Sequence, residues 1–395
     1  MQRISPMENE AMRGIYIHIP FCVRKCSYCD FYSVAGDKAA IEDFRELLVR
    51  EMDLFMESFP GEAAVPADTV FFGGGTPTVL GADALCGIFA ALKKRFPLAP
   101  DAEVTTEANP GTVTAEDFRM LRSGGFNRIS IGVQSFNQAT LETLGRIHGV
   151  EEVRAAHRDA RRAGFSSIGI DLIFGIPGQK PSDWATDLDT AVTFLPAHVS
   201  AYALAPEPGT PIHRAIGRRE MSMPSDDNVA EMYEKTRKVL ASTGYRHYEI
   251  SNFARPGAEC LHNIKYWRRE GYLGLGPSAH GLLFPQDKAA FGMRTANPPS
   301  LADYRRAIEE RRLPWEDVHI CSREDAWKES LFAGLRMLEG IDLAEIEMKT
   351  GPPPEAVRRA VESLVRTGKL KEDGTRLRLP EKLLFVSNEV LQAIV

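Results

Sequence analysis

The stretch GIYIHIPFCVRKCSYCDF, residues 14–31, joins a β-rich run to a loop that holds three cysteines. Amphipathic segments with apolar residues at three- and four-residue spacing alternate with further β-rich runs along the first half of the chain. Those runs span 68–74, 103–109, 128–134, 167–175 and 198–205. Six strand-then-helix units in series predict a parallel sheet with right-handed crossovers, either open and doubly wound or curled into a barrel.

The loops favour the barrel. Chemically suggestive residues fall at or just after the strand ends: the cysteines follow the first, GGGTP follows the second, Glu107 lies in the third and Gln134 ends the fourth. Barrel enzymes assemble their sites at that face from several strands at once. We therefore predict an α/β fold built on a partial (β/α)6 barrel.

The alternation divides the chain into three parts. We assign 1–210 to the partial barrel, 211–295 to a mixed segment that completes it, and 296–395 to a mainly helical C-terminal domain. In the last part, a triple proline starts a helix that Gly368 ends, and KLKEDGTRLRL predicts a hairpin with its turn at Asp373-Gly374. Helices followed by a hairpin are typical of a winged-helix unit, for which we expect an accessory or docking role.

Composition narrows the class of partner and compartment. The 395 residues carry a formal net charge of −6, which argues against a broad phosphate-binding surface, so no nucleic-acid partner is expected. The N-terminus lacks the apolar core of a signal peptide, and no stretch reaches the roughly twenty apolar residues of a membrane span. We expect a cytoplasmic protein.

Three of the six cysteines cluster, with the spacing C-x3-C-x2-C at Cys22, Cys26 and Cys29. In a reducing compartment such a cluster indicates metal ligation or redox chemistry rather than a disulfide framework. Structural zinc needs four protein ligands, and no partner pair lies at finger-like spacing nearby. A [4Fe-4S] cluster held by three thiolates leaves one iron open, and an open iron can bind a small molecule.

The cysteine motif, together with FFGGGTPT, TEANPG, RISIGVQSF, LGRIHG, IDLIFGIPGQ and EPGTP, resembles the radical S-adenosylmethionine (SAM) superfamily. Within it, nearly the whole chain is similar to the group of oxygen-independent coproporphyrinogen III oxidases and HemW-type haem chaperones. The resemblance implies a [4Fe-4S] cluster whose unique iron chelates the amino and carboxylate groups of SAM. The reduced cluster then cleaves the sulfonium to give a 5'-deoxyadenosyl radical.

The same resemblance implies residues that bind the cofactors. The cluster ligands are Cys22, Cys26 and Cys29, and the SAM site comprises Tyr16, Tyr28, Gly74, Gly75, Thr76, Glu107, Gln134, Arg146, Asp171 and Ala205. Simpler interpretations exist: GGG is also a tight-turn sequence, and Arg146 also fits a solvated helix. Asp171 lies within an apolar strand and needs a buried partner or a ligand in either case.

Two features bear on the substrate. Phe31 stands where the porphyrinogen-oxidising members have a further cysteine, which argues against decarboxylation. HNIKYW (262–267) resembles the H-N-x-x-Y-W signature of the haem chaperones and implies haem binding through His262, Asn263, Tyr266 and Trp267. Cys260 and His280 are alternative haem ligands, and a packing role for the motif is the simpler interpretation.

We expect a protein that binds the cluster, SAM and haem and delivers haem to a respiratory protein, with peripheral contact to a membrane-bound acceptor. The alternatives are a coproporphyrinogen III dehydrogenase, a related radical SAM methyltransferase and a barrel with a non-catalytic metal. Formation of protoporphyrinogen would indicate the dehydrogenase, and formation of S-adenosylhomocysteine would indicate the methyltransferase. Absence of iron and sulfide after reconstitution would indicate the barrel with a non-catalytic metal.

Overall fold

The computed structural model describes residues 12–36, 38–285 and 289–394. Six parallel strands in sequence order form the centre of a large sheet, and they confirm the six predicted β-rich runs. They are β1 (Arg13–Ile19), β2 (Ala67–Gly74), β3 (Leu98–Ala108), β4 (Arg128–Gln134), β5 (Ser167–Phe174) and β6 (His198–Ala203). Buried apolar side chains of β1, β4 and β5 belong to one continuous core.

Helices connect these strands and cover the sheet. They are α1 (Lys38–Ser58), α2 (Pro60–Ala63), α3 (Ala82–Lys93), α4 (Ala115–Gly124), α5 (Gln138–Thr143), α6 (Val150–Arg162) and α7 (Pro181–Thr193). Local sequence sets their ends. The α4 helix, for example, begins at a capping box in which Thr114 accepts from the Asp117 N–H, and it ends at Gly125 with φ +108°.

The next segment extends the sheet at both edges. It contains α8 (Pro211–Gly217), α9 (Asp226–Ser242), β7 (Arg246–Glu249), β8 (Asn252–Ala254), α10 (Leu261–Trp267), β9 (Tyr272–Leu275), β10 (His280–Leu283) and β11 (Met293–Ala296). β9 pairs in parallel with β1, whereas β8 pairs antiparallel with β6. The partial barrel is thus continued on each side by strands from outside the six repeating units.

Residues beyond 296 also contribute to the large sheet. After α11 (Leu301–Glu309), β12 (Asp317–Ile320) pairs with β11 and gives the order β12-β11-β10-β9-β1-β2-β3-β4-β5-β6-β8-β7. Tyr304 and Ile308 of α11 pack on Leu47 and Leu54 of α1. The sequence-based boundary at residue 296 therefore precedes a helix and a strand that pack with the barrel.

The C-terminal unit has its own small sheet, in the order β13-β15-β14. Its elements are α12 (Arg323–Gly334), β13 (Ile341–Asp342), α13 (Leu343–Thr350), α14 (Glu355–Arg366), β14 (Lys371–Asp373), β15 (Arg376–Arg378) and α15 (Ser387–Leu391). The predicted turn at Asp373-Gly374 is wrong by one residue. Asp373 pairs with Arg376, so the turn is Gly374-Thr375, and Gly374 supplies the required positive φ of +61°.

A buried carboxyl ties α1 to the β9 side of the barrel. Glu51 is 1% exposed and accepts hydrogen bonds from the Gly276 N–H, the Asn297 amide and the Tyr304 hydroxyl. Burial raises the pKa of Glu51 to about 7 despite these donors.

Within the described residues, no helix combines the length and apolar character needed to cross a membrane.

Candidate cofactor site

A cavity of about 600 Å³ opens at the carboxyl end of the six parallel strands. We call it the cofactor cavity. All predicted cluster and SAM residues line it, together with three of the four predicted haem residues. This set comprises Tyr16, Cys22, Cys26, Tyr28, Cys29, Gly74, Gly75, Thr76, Glu107, Gln134, Arg146, Asp171, Ala205, His262, Asn263 and Tyr266. Residues from six strand ends therefore converge at one face, as the barrel prediction requires.

Backbone hydrogen bonds hold the cysteine loop at Cys22 and at Ser27, which lies between Cys26 and Cys29. The Cys22 N–H donates to the Val34 carbonyl, and the Ser27 N–H donates to the Leu144 carbonyl, each at 3.0 Å. Burial, with smaller contributions from Cys26 and Cys22, raises the pKa of the Cys29 thiol to about 11. Three neighbouring free thiols that face one cavity fit a [4Fe-4S] cluster with one iron left open. No three His, Cys, Asp or Glu side chains among the described residues converge on a single metal ion.

An asparagine missed by the sequence analysis connects two of the cysteines. The Asn109 amide donates to Thr76 Oγ1 at 2.7 Å, and Thr76 Oγ1 lies 3.6 Å from Cys22 Sγ. Asn109 Oδ1 accepts from Arg146, whose Nη1 donates to Cys26 Sγ at 3.2 Å. Arg146 is therefore part of the cavity and not a solvated helix residue. Asn109 lies in the TEANPG motif, which is the sequence signal that could have identified it.

Glycines bring the cavity lining together. A Cβ on Gly75 would lie 2.6 Å from the Phe21 carbonyl oxygen, and the Gly75 N–H donates to the Ile19 carbonyl at 2.8 Å. The glycine motif thus packs against the start of the cysteine loop. Gly132 leaves room for Asn109 and Gln134, because a Cβ there would lie within 3.0 Å of both side chains.

Gln134 has a strained backbone. Its φ is +66°, and the β4–β5 register shifts between Ile131 and Gln134. A non-glycine residue in this conformation at the end of a strand is a feature that clusters at functional sites. Gln134 lines the cofactor cavity and is 8% exposed.

Two carboxyls occupy the cavity close to each other. Burial raises the pKa of Glu107 to about 8, with a further contribution from Asp171 and an opposing one from the Gly74 N–H. Asp171 has the buried partners that the sequence analysis required, because Ser130 Oγ donates to both carboxylate oxygens at 3.0 Å and Ser200 also donates. Burial raises the pKa of Asp171 even so. A cationic ligand would stabilise both ionised forms.

The HNIKYW motif forms α10, but its side chains do not share one site. His262 is 1% exposed, and its Nδ1 and Nε2 are hydrogen-bonded to Thr69 Oγ1 and Tyr266 Oη, each at 2.8 Å. Burial, with Lys265 nearby, lowers the pKa of His262 to about 3. Trp267 lies outside the cofactor cavity and lines a different one. The expected four-residue group is therefore divided between two cavities, because seven helical residues point to more than one side.

The two alternative haem ligands differ in position. Cys260 lines the cofactor cavity with its thiol 3.8 Å from a Glu103 oxygen, and burial raises the pKa of that thiol to about 12. His280 begins β10 and is not part of the cavity lining. Neither residue was placed in the SAM site from sequence.

The residue that replaces the expected fourth cysteine lies at the cavity mouth. Phe31 is 63% exposed and Val23 is 61% exposed, although both are apolar. The Lys25 ammonium donates to the Phe31 carbonyl at 3.0 Å, which holds this part of the loop together. Ser130, Ser200, Tyr202 and Glu207 also line the cavity. The sequence analysis assigned none of them to a site, although Ser130 lies in RISIGVQSF and Glu207 in EPGTP.

Comparison with known proteins agrees with this geometry. The model of the radical SAM superfamily matches residues 16–191, and that of the HemN C-terminal domain matches residues 321–385. "Heme chaperone HemW" of Escherichia coli is 35% identical over 381 residues, which are 96% of this chain and 97% of the relative. "Heme chaperone HemW" of Bacillus subtilis is 32% identical over 386 residues, 97% of this chain and 99% of the relative.

A solved structure shares the fold. The coproporphyrinogen III oxidase HemN from Escherichia coli, described as a radical SAM enzyme, superposes with a TM-score of 0.81. The match covers 98% of this chain and 90% of that chain at 23% identity. The expected radical SAM fold is confirmed. With the full-length sequence matches, these observations show that the chain belongs to the HemW family of the radical SAM superfamily.

Proposed function

We propose that this protein is a haem chaperone that binds a [4Fe-4S] cluster, SAM and haem and transfers the haem to acceptor proteins. The observation that carries the proposal is the likeness to "Heme chaperone HemW" at 35% identity over 96% of the chain. The cofactor cavity supports it, because its cysteines, glycines and carboxyls form a complete potential cofactor site. Phe31 further supports a carrier over a decarboxylase, since a thiol at that position is absent.

Each cofactor has matching residues in this proposal. Cys22, Cys26 and Cys29 hold the cluster, which supplies an open iron and a source of one electron when it is bound. Arg146 suits the SAM carboxylate, because its guanidinium lines the cavity beside Cys26. Glu107 and Asp171 suit the ribose hydroxyls. Tyr16, Tyr28 and Ala205 offer apolar contact, and Gln134 offers an amide.

Haem binding is assigned to the region of α10, with His262, Asn263, Tyr266 and Trp267 as the proposed residues. The two nitrogens of His262 already have hydrogen-bond partners, so His262 is proposed to hold α10 in place beside the haem and not to serve as its axial ligand. Trp267 offers an aromatic surface to the separate cavity that it lines, whereas His262, Asn263 and Tyr266 line the cofactor cavity.

The proposed acceptor is a respiratory haem protein, reached through peripheral contact when the acceptor is membrane-bound. The proposed compartment is the cytoplasm. Six free cysteines are consistent with a reducing environment. Identification of a haem-dependent complex with a respiratory protein, by affinity capture of the haem-loaded chaperone, would test the acceptor class.

The function is tested by titrating haem into anaerobically reconstituted protein and by assaying the same preparation for coproporphyrinogen III turnover. We expect a saturable Soret change with one haem per chain and no protoporphyrinogen. Turnover with SAM and a reductant, without saturable haem binding, would contradict the proposal and would establish the dehydrogenase instead.

A further inference from the structure

Three exposed apolar side chains lie at the mouth of the cofactor cavity. Phe31 lines the cavity, and Val23 and Ile147 directly follow the lining residues Cys22 and Arg146. Ile147 is 52% exposed, and Val23 and Phe31 are more exposed still. Single apolar side chains on a protein surface need no explanation, but a group of them beside one cavity indicates that another molecule covers it.

Backbone contacts join the segments that carry these side chains. The Ser27 N–H donates to the Leu144 carbonyl, and the Ile212 N–H of α8 donates to the Ser27 carbonyl at 2.9 Å. A Cβ on Gly145 would lie 2.6 Å from Ser27 Oγ, so the loop between α5 and α6 packs closely on the cysteine loop. Residues 22–31, 144–147 and 211–219 therefore form one continuous surface, which we call the loop face.

Positive charge predominates on the loop face, although the whole chain carries a net charge of −6. Its exposed cations are Arg24, Lys25, Arg214, Arg218 and Arg219. Arg218 is paired with Glu220 at 2.7 Å. Lys25 and Arg214 donate to backbone carbonyl groups, and apart from Arg218 none of these cations has a carboxylate within ion-pair distance among the described side chains. Asp30 is the only carboxylate in the three segments.

The loop face also contains the cluster ligands. Cys22, Cys26 and Cys29 are partly exposed, and Val23 and Phe31 lie on the same loop. A [4Fe-4S] cluster bound there is reduced by one electron. Because electron transfer slows steeply with distance, the donor has to approach the protein close to these cysteines. The loop face is the outer surface nearest to them.

We infer that the loop face docks an acidic one-electron carrier protein that reduces the cluster. The inference rests on the proposed function, because it requires the cluster. In the transfer the carrier loses one electron and the cluster gains it, and no covalent bond forms or breaks. The apolar side chains supply the centre of a small, transient interface, and the cations around them attract carboxylates of the partner.

A haem acceptor is the less suitable occupant of this face. Haem transfer requires no approach to the cluster ligands, whereas reduction of the cluster does. The unpaired cations and the exposed apolar groups both lie on the cysteine loop or on segments that contact it. That position favours the electron carrier.

The test is stopped-flow reduction of the anaerobically reconstituted full-length protein by fully reduced flavodoxin, an acidic flavoprotein. We expect the wild-type rate to fall severalfold as the ionic strength is raised from about 0.05 M to about 0.5 M. The variant R214E/R219E leaves the cysteine loop unchanged, and we expect it to react about tenfold more slowly at low ionic strength. The matched control K371E/R378E changes the net charge equally at exposed positions of the C-terminal hairpin and should react like the wild type.

Two further measurements separate docking from effects on the cluster itself. Dithionite, a small reductant, should reduce the wild type and R214E/R219E at rates within about twofold of each other. Val23→Ser removes an apolar contact without changing charge, so we expect slower reduction by flavodoxin with the wild-type dependence on ionic strength.

The outcomes distinguish the docking surface from the proposed function. Equal flavodoxin rates in the wild type and R214E/R219E, or reduction of the wild type by dithionite but not by flavodoxin, would overturn the docking surface and leave the chaperone function intact. Slower haem transfer by R214E/R219E with an unchanged flavodoxin rate would assign the face to the haem acceptor instead. Failure of the wild type to assemble a reducible cluster would overturn both proposals.

Discussion

Replacement of Glu107 by Gln should reduce the pH dependence of SAM binding to the cofactor cavity. Burial and the neighbouring Asp171 hold the pKa of Glu107 at about 8, so the carboxyl is largely protonated in the free protein at neutral pH. SAM carries a sulfonium and an ammonium against one carboxylate and is a net cation. Its binding favours ionised Glu107 and releases the proton.

The pKa sets the size of this effect. With a pKa of about 8, about 3% of the free protein has ionised Glu107 at about pH 6.5 and half at about pH 8. If the ionised form binds, SAM affinity rises roughly 15-fold between those pH values and levels off above them. The sign follows from the raised pKa, because binding must remove a proton that the free protein still holds. Asp171→Asn removes the like-charged neighbour and should shift the rise to lower pH.

The assay is anaerobic isothermal titration of SAM into the reconstituted protein across this pH range. Glu116→Gln is the control, because Glu116 is an exposed carboxylate on α4 outside the cavity lining. We expect a shallower profile for Glu107→Gln, in which Asp171 is the remaining cavity carboxyl with a raised pKa, and the wild-type slope for the control. An unchanged slope in Glu107→Gln, or wild-type affinity that falls as the pH rises, would refute the argument.

Asn109→Ala removes a hydrogen-bond partner from Arg146 and from Thr76, and each buried polar group left without a partner costs about 1–3 kcal/mol of stability. We therefore expect the cluster to assemble in this variant but to lose its visible absorbance severalfold faster when a chelator is added. An unchanged rate of loss would show that the hydrogen bonds of Asn109 to Thr76 and Arg146 do not support the cluster. His262→Ala leaves two buried hydroxyls without their histidine partner, so denaturant unfolding should show a loss of about 3 kcal/mol. Haem affinity should stay within about twofold because the imidazole is not the proposed ligand, and a large loss of affinity in folded protein would return it to that role. Gly274→Ala would place a Cβ 2.0 Å from the His280 carbonyl oxygen and should lower the unfolding free energy by more than about 2 kcal/mol. Gly217→Ala, with open space around the added methyl, should change it by less than about 1 kcal/mol, and equal effects would refute the steric reasoning.

The strands and the cavity lining followed closely from the sequence. Apolar runs and helical spacing specify elements locally, and parallel strands bring their carboxyl ends to one edge. The resemblance to the radical SAM superfamily assigned residues as distant as Tyr16 and Ala205 to one site, and both line the cofactor cavity. The hairpin turn was displaced by one residue, because cross-strand pairing and the positive φ of Gly374 determine it rather than composition alone.

The remaining features depend on tertiary contacts between distant segments. Asn109 joins Thr76 and Arg146 through three separate loops, so its hydrogen bonds have no local signature. The division of HNIKYW between two cavities depends on how α10 packs between the barrel and the C-terminal unit. Helical periodicity places residues four apart, such as His262 and Tyr266, on one side of a helix, but it does not specify which cavity that side meets.

The most direct test of the chaperone account is a haem transfer measurement under anaerobic conditions. Haem-loaded, reconstituted protein is mixed with an apo-form respiratory cytochrome, and the two are separated and quantified by their Soret spectra over time. The control is the protein with Cys22, Cys26 and Cys29 changed to Ala, which removes the cluster ligands. We predict stoichiometric transfer from the reconstituted protein, faster than from the variant and faster than from free haem at equal concentration. Haem that remains on the protein, or transfer no faster than from free haem, would contradict the account.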